Sequence, residues 1–419
     1  MAARVNREFL RLLAVLLLTC AAGWFFKSHC MAGGWTELEQ YTTGCYSDTV
    51  PFWGGRGVAA GEAPYFEARM EYPVLTGALI WAEGGAARLV FGGSAGAIHF
   101  LGFVTLANTA LAALLLYLFW REGLDRRRLW AWAAAPPLIL YVGHNWDMLA
   151  VGFAAGAMLL ARRGALAHAA AVAGLGVAAK LFPILLLPLL GLQALFGGTR
   201  TGWGARLLRA SALAAAAVGA WALVNLPVAL AAPENWSEFY RFSGARSGTA
   251  ASAWEIFTAF GWWRTTIPER NLLAALIFLT GASGIVALGW RRHRERLWVL
   301  FPPVLAWFML TNKVYSPQFD LWLYPLLLLT APRLWPVALF LVGGIWAYFA
   351  EFWWFAGIEG AALAASHADI ALAALLRGGA MLWLIADALR LPPPQWLSFP
   401  RQRLQSAQTA ERADVTAPA

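Results

Sequence analysis

Residues 297–329 read "LWVLFPPVLAWFMLTNKVYSPQFDLWLYPLLLL". Two apolar runs enclose a short polar stretch, and one lysine, Lys313, stands in it. An ammonium between hydrophobic helices is costly unless it reaches water or a partner charge. The stretch therefore reads as two membrane helices that meet at a boundary, where Lys313 finds polar company.

Composition carries the same message along the whole chain. Of 419 residues, 60% are hydrophobic and 13% charged, and the mean hydropathy is +0.57. The charged share is about half that of an average soluble protein. A single soluble core cannot absorb so much apolar surface, so the chain reads as an all-α polytopic membrane protein. The formal charge of +9 does not imply nucleic acid, because the basic residues are spread over short loops between apolar runs. Three of the 32 basic residues are lysines (Lys27, Lys180 and Lys313), and the Ala, Gly, Trp and Arg richness fits a GC-rich bacterial genome.

The N-terminus "MAARVNREFLRLLAVLLLTCAAGWFF" reads as an uncleaved first span, since "KSHC" follows it without a small-x-small cleavage site. With the N-terminus placed inside, the apolar runs thread as about twelve spans: 9–26, 99–120, 129–143, 147–161, 166–179, 181–196, 210–230, 272–289, 297–310, 320–331, 334–355 and 369–389. Residues 27–98 form a long first outer loop, in which "YPVLTGALIWAEGGAARLVF" is re-entrant or interfacial; 231–271 form a second outer loop. Several spans are near 15 residues, shorter than the roughly 20 of a straight crossing, and Pro183, Pro188 and Pro325 predict broken helices. This threading leaves 21 basic residues inside and ten outside, with "RRR", "RR" and "RRHRER" all inside. Residues 1–390 read as one transmembrane domain, and 391–419, starting "LPPPQW", as a disordered cytoplasmic tail. No internal repeat is visible.

The same threading gathers the unusual polar residues on the outer face, in "CYSDTVPFWGGRG", "MEYPVLTG", "GHNWDMLAV", "AAKLFPILLL", the 234–257 loop and "NKVYSPQFD". Each has an ordinary explanation: Asp147 as a helix cap, His144 and Asn145 as turn partners, Lys180 and Lys313 as snorkelling anchors. Jointly, acid, amide and base at the ends of several interrupted helices describe a pocket. Carboxylates there can deprotonate a hydroxyl, Lys and Arg can hold a phosphate, and Trp53, Tyr65 and Trp146 offer flat faces for sugar rings. No glycine-rich phosphate loop and no zinc spacing is present, so the energy source would be an activated lipid. Cys30 and Cys45 fall in the oxidising outer segment and are expected to pair, closing a loop of about 15 residues, worth about 3 kcal/mol in the chain-entropy model; Cys20 lies inside the first span.

The segments "CYSD", "EYPVLTG", "NWDMLAV", "AAKLFPILLL", "FYRFSGARSGTAASAWEIF" and "NKVYSPQFDLWL" resemble the actinobacterial branch of glycosyltransferase family 87, up to about residue 331. The resemblance implies a GT-C fold and an inverting transfer of a sugar, mannose foremost, from a polyprenyl-phosphate donor to a glycolipid or polysaccharide acceptor on the outer face. It makes Asp48 the catalytic base, with Glu62, Glu67 and Glu71 also in that segment and Glu71 the alternative base. The donor phosphate is expected on Lys313, Lys180, Arg241 and Arg246. Sugar or acceptor contacts are expected from Tyr46, Glu71, Tyr72, His144, Asn145, Asp147, Asn312, Ser316 and Gln318. No cofactor and no metal is expected, although Asp48 with Glu71 would suit a divalent ion; partners are the donor, the acceptor and membrane lipids. The competing readings are a multi-helix secondary transporter, favoured by Arg377 in mid-span, and a non-catalytic ligase or flippase partner.

Overall fold

The structure, a computed structural model, describes residues 2–197 and 202–397. Among them there is no strand. The chain forms α1 (Ala2–Ser28), α2 (Glu37–Thr42), α3 (Thr49–Gly55), α4 (Val74–Phe91) and α5 (Ala97–Arg121). Shorter helices follow: α6 (Arg126–Ala133), α7 (Pro136–Tyr141), α8 (Asp147–Arg162), α9 (Leu166–Ala179) and α10 (Leu186–Phe196). The rest is α11 (Trp203–Ala231), α12 (Pro233–Ala245), α13 (Ala253–Ala259), α14 (Ile267–His293), α15 (Phe301–Thr311), α16 (Asp320–Thr330), α17 (Trp335–Ile358) and α18 (His367–Arg390).

Seven helices among the described residues are long and apolar enough to cross a bilayer: α1, α4, α5, α11, α14, α17 and α18. Leucines such as Leu223 and Leu230 on α11, Leu272 and Leu288 on α14, and Leu375 on α18 point outward and exposed. Such an apolar exterior suits lipid and not water. The chain is an α-helical multi-pass membrane protein.

All twelve expected runs are helical, but only six of them belong to the seven long helices. The other six are short, and prolines explain much of this. Pro136 opens α7 and splits the 129–143 run; Pro183 sits in a 3-10 turn ahead of α10; Pro302 lies in the first turn of α15. These short helices need not meet lipid. Every residue of α16 is buried, and α8 and α9 pack on one another, with α11 against α9. Helix length therefore does not fix a count of twelve.

The seventh long helix, α4, falls in the stretch read as re-entrant or interfacial. It is continuous, and its contacts tie both ends to one end of the bundle. Thr76 Oγ1 donates to Ala179 O (2.7 Å) at its start. Trp81 Nε1 donates to Gly61 O (3.2 Å), Arg88 donates to Val58 O, and Phe91 stacks on His99 at the start of α5 (3.9 Å).

The bundle has two chemically different ends. One holds arginine pairs: Arg126 with Glu8 (2.7 Å), Arg162 with Glu122 (2.5 Å), and Arg333 with Asp387. Arg128 donates there to Leu328 O (2.9 Å) and Ala331 O (2.7 Å), and the predicted tail begins by packing onto this end. Trp396 is buried, donates to Leu329 O (3.0 Å) and lies under Arg162 (4.7 Å); residues 398–419 lie outside the described residues. The opposite end carries the cavity.

Candidate active site

The first polar segment, 29–73, is fastened before it reaches the cavity. Lys27, read from sequence as the start of a loop, is the last turn of α1 and fully buried. Its Nζ donates to Tyr46 O (2.7 Å), Gly44 O (3.2 Å) and Tyr348 Oη of α17 (2.5 Å), and lies 3.2 Å from His144 Nδ1. Cys30 and Cys45 form a disulfide, and Cys20 is a buried free thiol. Ser47 Oγ donates to Gly143 O (2.7 Å) and the Asp48 N–H to His144 O (2.9 Å). Thus residues 44–48 are held on three sides: by α1, by α17 and by the turn before α8.

Asp48 precedes α3, where an aspartate usually caps the helix, but its carboxylate caps nothing. It accepts instead from Tyr46 Oη (3.0 Å) and Tyr72 Oη (3.4 Å), and faces a cavity of about 700 Å³. Burial raises its pKa above the ordinary carboxylate value, against the Tyr46 hydrogen bond and the charge of Lys180, which lower it.

Of the residues expected at the site, Tyr46, Asp48, Glu71, Tyr72, His144, Lys180, Arg246, Asn312, Lys313, Ser316 and Gln318 line this one cavity. Three do not. Arg241 sits exposed on α12, turned to Glu234 O (2.9 Å) and Glu238 (3.1 Å). Asp147 lies behind Lys180, accepting from its Nζ (2.6 Å) and from Trp322 Nε1 (2.7 Å). Asn145 Oδ1 accepts from the Asp147 N–H (3.1 Å) and so serves the turn. The two carboxylates proposed as alternatives also differ: both Glu71 oxygens are taken by Arg56, each at 2.7 Å.

Lys313 is buried and donates to Gly244 O (2.9 Å), while its own carbonyl accepts from the Thr249 N–H (3.2 Å). These bonds, with the Tyr315 N–H to Thr249 Oγ1 (2.8 Å), fix the 244–249 segment over the 312–316 turn. Burial lowers the Lys313 pKa, and the like charges of Arg246 and Arg270 lower it further. Arg270 is paired with Glu255, but neither Lys313 nor Arg246 has an ion-pair partner among the described residues. Two unneutralised cations close enough to repel one another make a site that an anion stabilises.

The sequence reading missed two acids. Glu351 of α17 lines the cavity, is 3% exposed, and its Oε2 has no hydrogen-bond partner. A lone acid in the aromatic run "WAYFAEFWWF" was the available signal. Asp320 begins α16 and accepts from Tyr315 Oη (2.8 Å). It is also the partner of Arg377, whose Nη1 lies 3.8 Å away and whose guanidinium stacks at 3.7 Å on the Tyr315 ring. Arg377, the mid-span charge, is buried inside the bundle with this acid. Among the described residues one group, His29 with Cys30 and Cys45, is close enough to hold a metal, and two of its three members are joined in the disulfide.

Compared with known proteins, the chain matches no protein-family model and no curated sequence.

Proposed function

We propose that the protein is an inverting, GT-C-like glycosyltransferase that takes a sugar, mannose foremost, from a polyprenyl phosphate. It passes that sugar to a glycolipid or polysaccharide acceptor, with the cavity end facing outward and both termini inside. One observation carries the reading: one cavity is lined by a carboxylate, Asp48, and by two cations, Lys313 and Arg246, none of which is in an ion pair among the described residues. Asp48 and Glu351 lie near enough for their charges to act on Arg246, but no direct ion pair joins acid to cation there among the described residues, which leaves them for an acceptor hydroxyl and a phosphate.

In this mechanism Asp48 takes the proton of the acceptor hydroxyl. The resulting oxygen attacks the anomeric carbon from the face opposite the phosphate. The bond from that carbon to the phosphate oxygen breaks, and its electron pair leaves with polyprenyl phosphate. Lys313 and Arg246 offset the charge that builds on the departing oxygen. Lys180 is the lesser contributor, because Asp147 already balances it. Glu71 serves poorly as the base, because Arg56 binds both its oxygens. Lys313 and Arg246 fill the electrostatic role, and the reading includes no metal.

The test is transfer of radiolabelled mannose from polyprenyl phosphate by the purified protein to a lipid acceptor. Asp48→Asn is expected to abolish transfer while donor binding persists. Normal turnover by that variant, or sugar crossing sealed vesicles without transfer, overturns the reading.

A further inference from the structure

Glu351 has no place in the mechanism above. It occupies the face of α17 that also presents Tyr348, Phe352 and Phe355, at positions i, i+3, i+4 and i+7 of one helical stripe. Phe352 and Phe355 line the cavity beside Tyr41 and Tyr46, which come from the first polar segment. The four rings form one continuous wall. Tyr41 stacks on Phe352 (6.2 Å, 18°), Tyr46 packs on Phe352 (5.6 Å), and Tyr41 on Phe355 (5.4 Å).

The ordinary explanation for a buried glutamate is a counter-charge. It holds only in part: the charges of Arg377 and Arg246 reach Glu351, but Arg377 has Asp320 as its ion-pair partner and Glu351 makes no direct ion pair among the described residues. A buried carboxyl oxygen without a partner costs roughly 1–3 kcal/mol, more when charged, unless something donates to it. Flat apolar rings beside an acceptor-only carboxylate match one ligand chemistry well. The C–H faces of a pyranose lie on aromatic rings, while its hydroxyls donate to the acid.

We infer that Glu351, with the Tyr41, Tyr46, Phe352 and Phe355 wall, is a saccharide subsite that recognises ring hydroxyls of a hexopyranose. The hexose comes either with the lipid donor or with the acceptor. The inference rests on the transferase reading only for where the sugar comes from, the donor lipid or the acceptor. The subsite itself is read by binding, without turnover.

Binding is measured in detergent micelles with three probes: polyprenyl-phosphate mannose, bare polyprenyl phosphate, and methyl α-mannoside. The wild type is expected to hold the mannosyl lipid roughly 10–100-fold tighter than the bare lipid, as one or two hydrogen bonds to a charged group allow. Glu351→Gln should remove most of that margin, leave bare-lipid affinity unchanged, and melt near the wild-type temperature. Phe355→Leu, which keeps apolar bulk and loses the flat face, should reduce the same margin, and it stands in if the Gln variant is unstable. If only methyl α-mannoside binding depends on Glu351, the subsite holds the acceptor's sugar. If both variants keep wild-type affinity for both sugar-bearing probes, or if the wild type favours neither, the subsite does not exist. Sugar binding that depends on Glu351 without any transfer leaves the subsite standing and removes the transferase reading; transfer that is indifferent to Glu351 does the opposite.

Discussion

As the proposed base, Asp48 would work only while ionised, and its surroundings set when that is. Burial raises its pKa, and the Tyr46 phenol holds it down by donating to the carboxylate. The base form grows as pH rises, so the acidic limb of the rate profile should lie above the ordinary carboxylate range. Tyr46→Phe deletes a donor that favours the charged form, so that limb should move to higher pH while the alkaline plateau is largely kept. A pH profile of kcat/KM for the two proteins decides this; an unmoved limb assigns the titration to another group. At Lys313 the prediction concerns magnitude. Lys313→Ala should lower kcat/KM by a factor on the order of 10² or more, because a charge-assisted phosphate contact in a low-dielectric site is lost. Lys313→Gln with wild-type activity and donor affinity would leave the lysine as a mere tether for Gly244. Lys313 was legible in the sequence because a charge at the end of an apolar run is conspicuous, whereas Asp48 came from the resemblance and its place in the first outer loop. The Lys180–Asp147 pair was not legible, since its members stand 33 positions apart. Arg241 misled for a local reason: α12 turns it toward Glu238, three residues earlier, while Arg246, just past the helix end, faces the cavity.

Among elements, the pairing of α17 with α18 is the most extensive in the molecule, and glycine makes it possible. A Cβ placed on Gly343 would stand 2.6 Å from the Arg377 backbone nitrogen. Backbone cannot yield as a flexible side chain can, so Gly343→Ala should force the two helices apart. The expected cost is about 1–3 kcal/mol, seen as a lower melting temperature in detergent, with transfer lost in parallel because Glu351 rides on α17. An unchanged melting temperature would mean that the helices slide to absorb the methyl group. This seam was not legible in the sequence, because "LVGGIWAY" reads as any small-residue patch in a span. The prolines in the sequence were a mixed guide: of the three expected to break helices, Pro183 sits in the turn ahead of α10, but Pro188 lies in the first turn of α10 and Pro325 inside α16. What the sequence could not reveal is which short apolar runs are wrapped by others and which meet lipid, since both are equally apolar.

At the scale of the whole molecule, the arginine end and the cavity end differ in a way that predicts sidedness. Positive residues favour the cytoplasmic side, so the Glu8–Arg126 and Arg333–Asp387 end is expected inside. Single cysteines substituted at exposed Leu38, near the cavity, and at exposed Arg127, at the arginine end, supply the check in a Cys20→Ser background. An impermeant maleimide should label the first in intact cells, and the second only after permeabilisation; the reverse pattern would turn the protein over. Chain order adds something that sidedness does not. The Lys27 ammonium gives one of its hydrogen bonds to a tyrosine 321 residues further on, in α17. A ribosome releases the first polar segment long before it makes Tyr348. Until that late helix enters the bilayer, Lys27 lacks a ligand, the 44–48 strip lacks its third anchor, and the cavity lacks the wall that Glu351 and Phe352 supply. The nascent chain therefore carries an unfinished pocket through most of its synthesis, and the enzyme proposed here comes into being only near the end of translation.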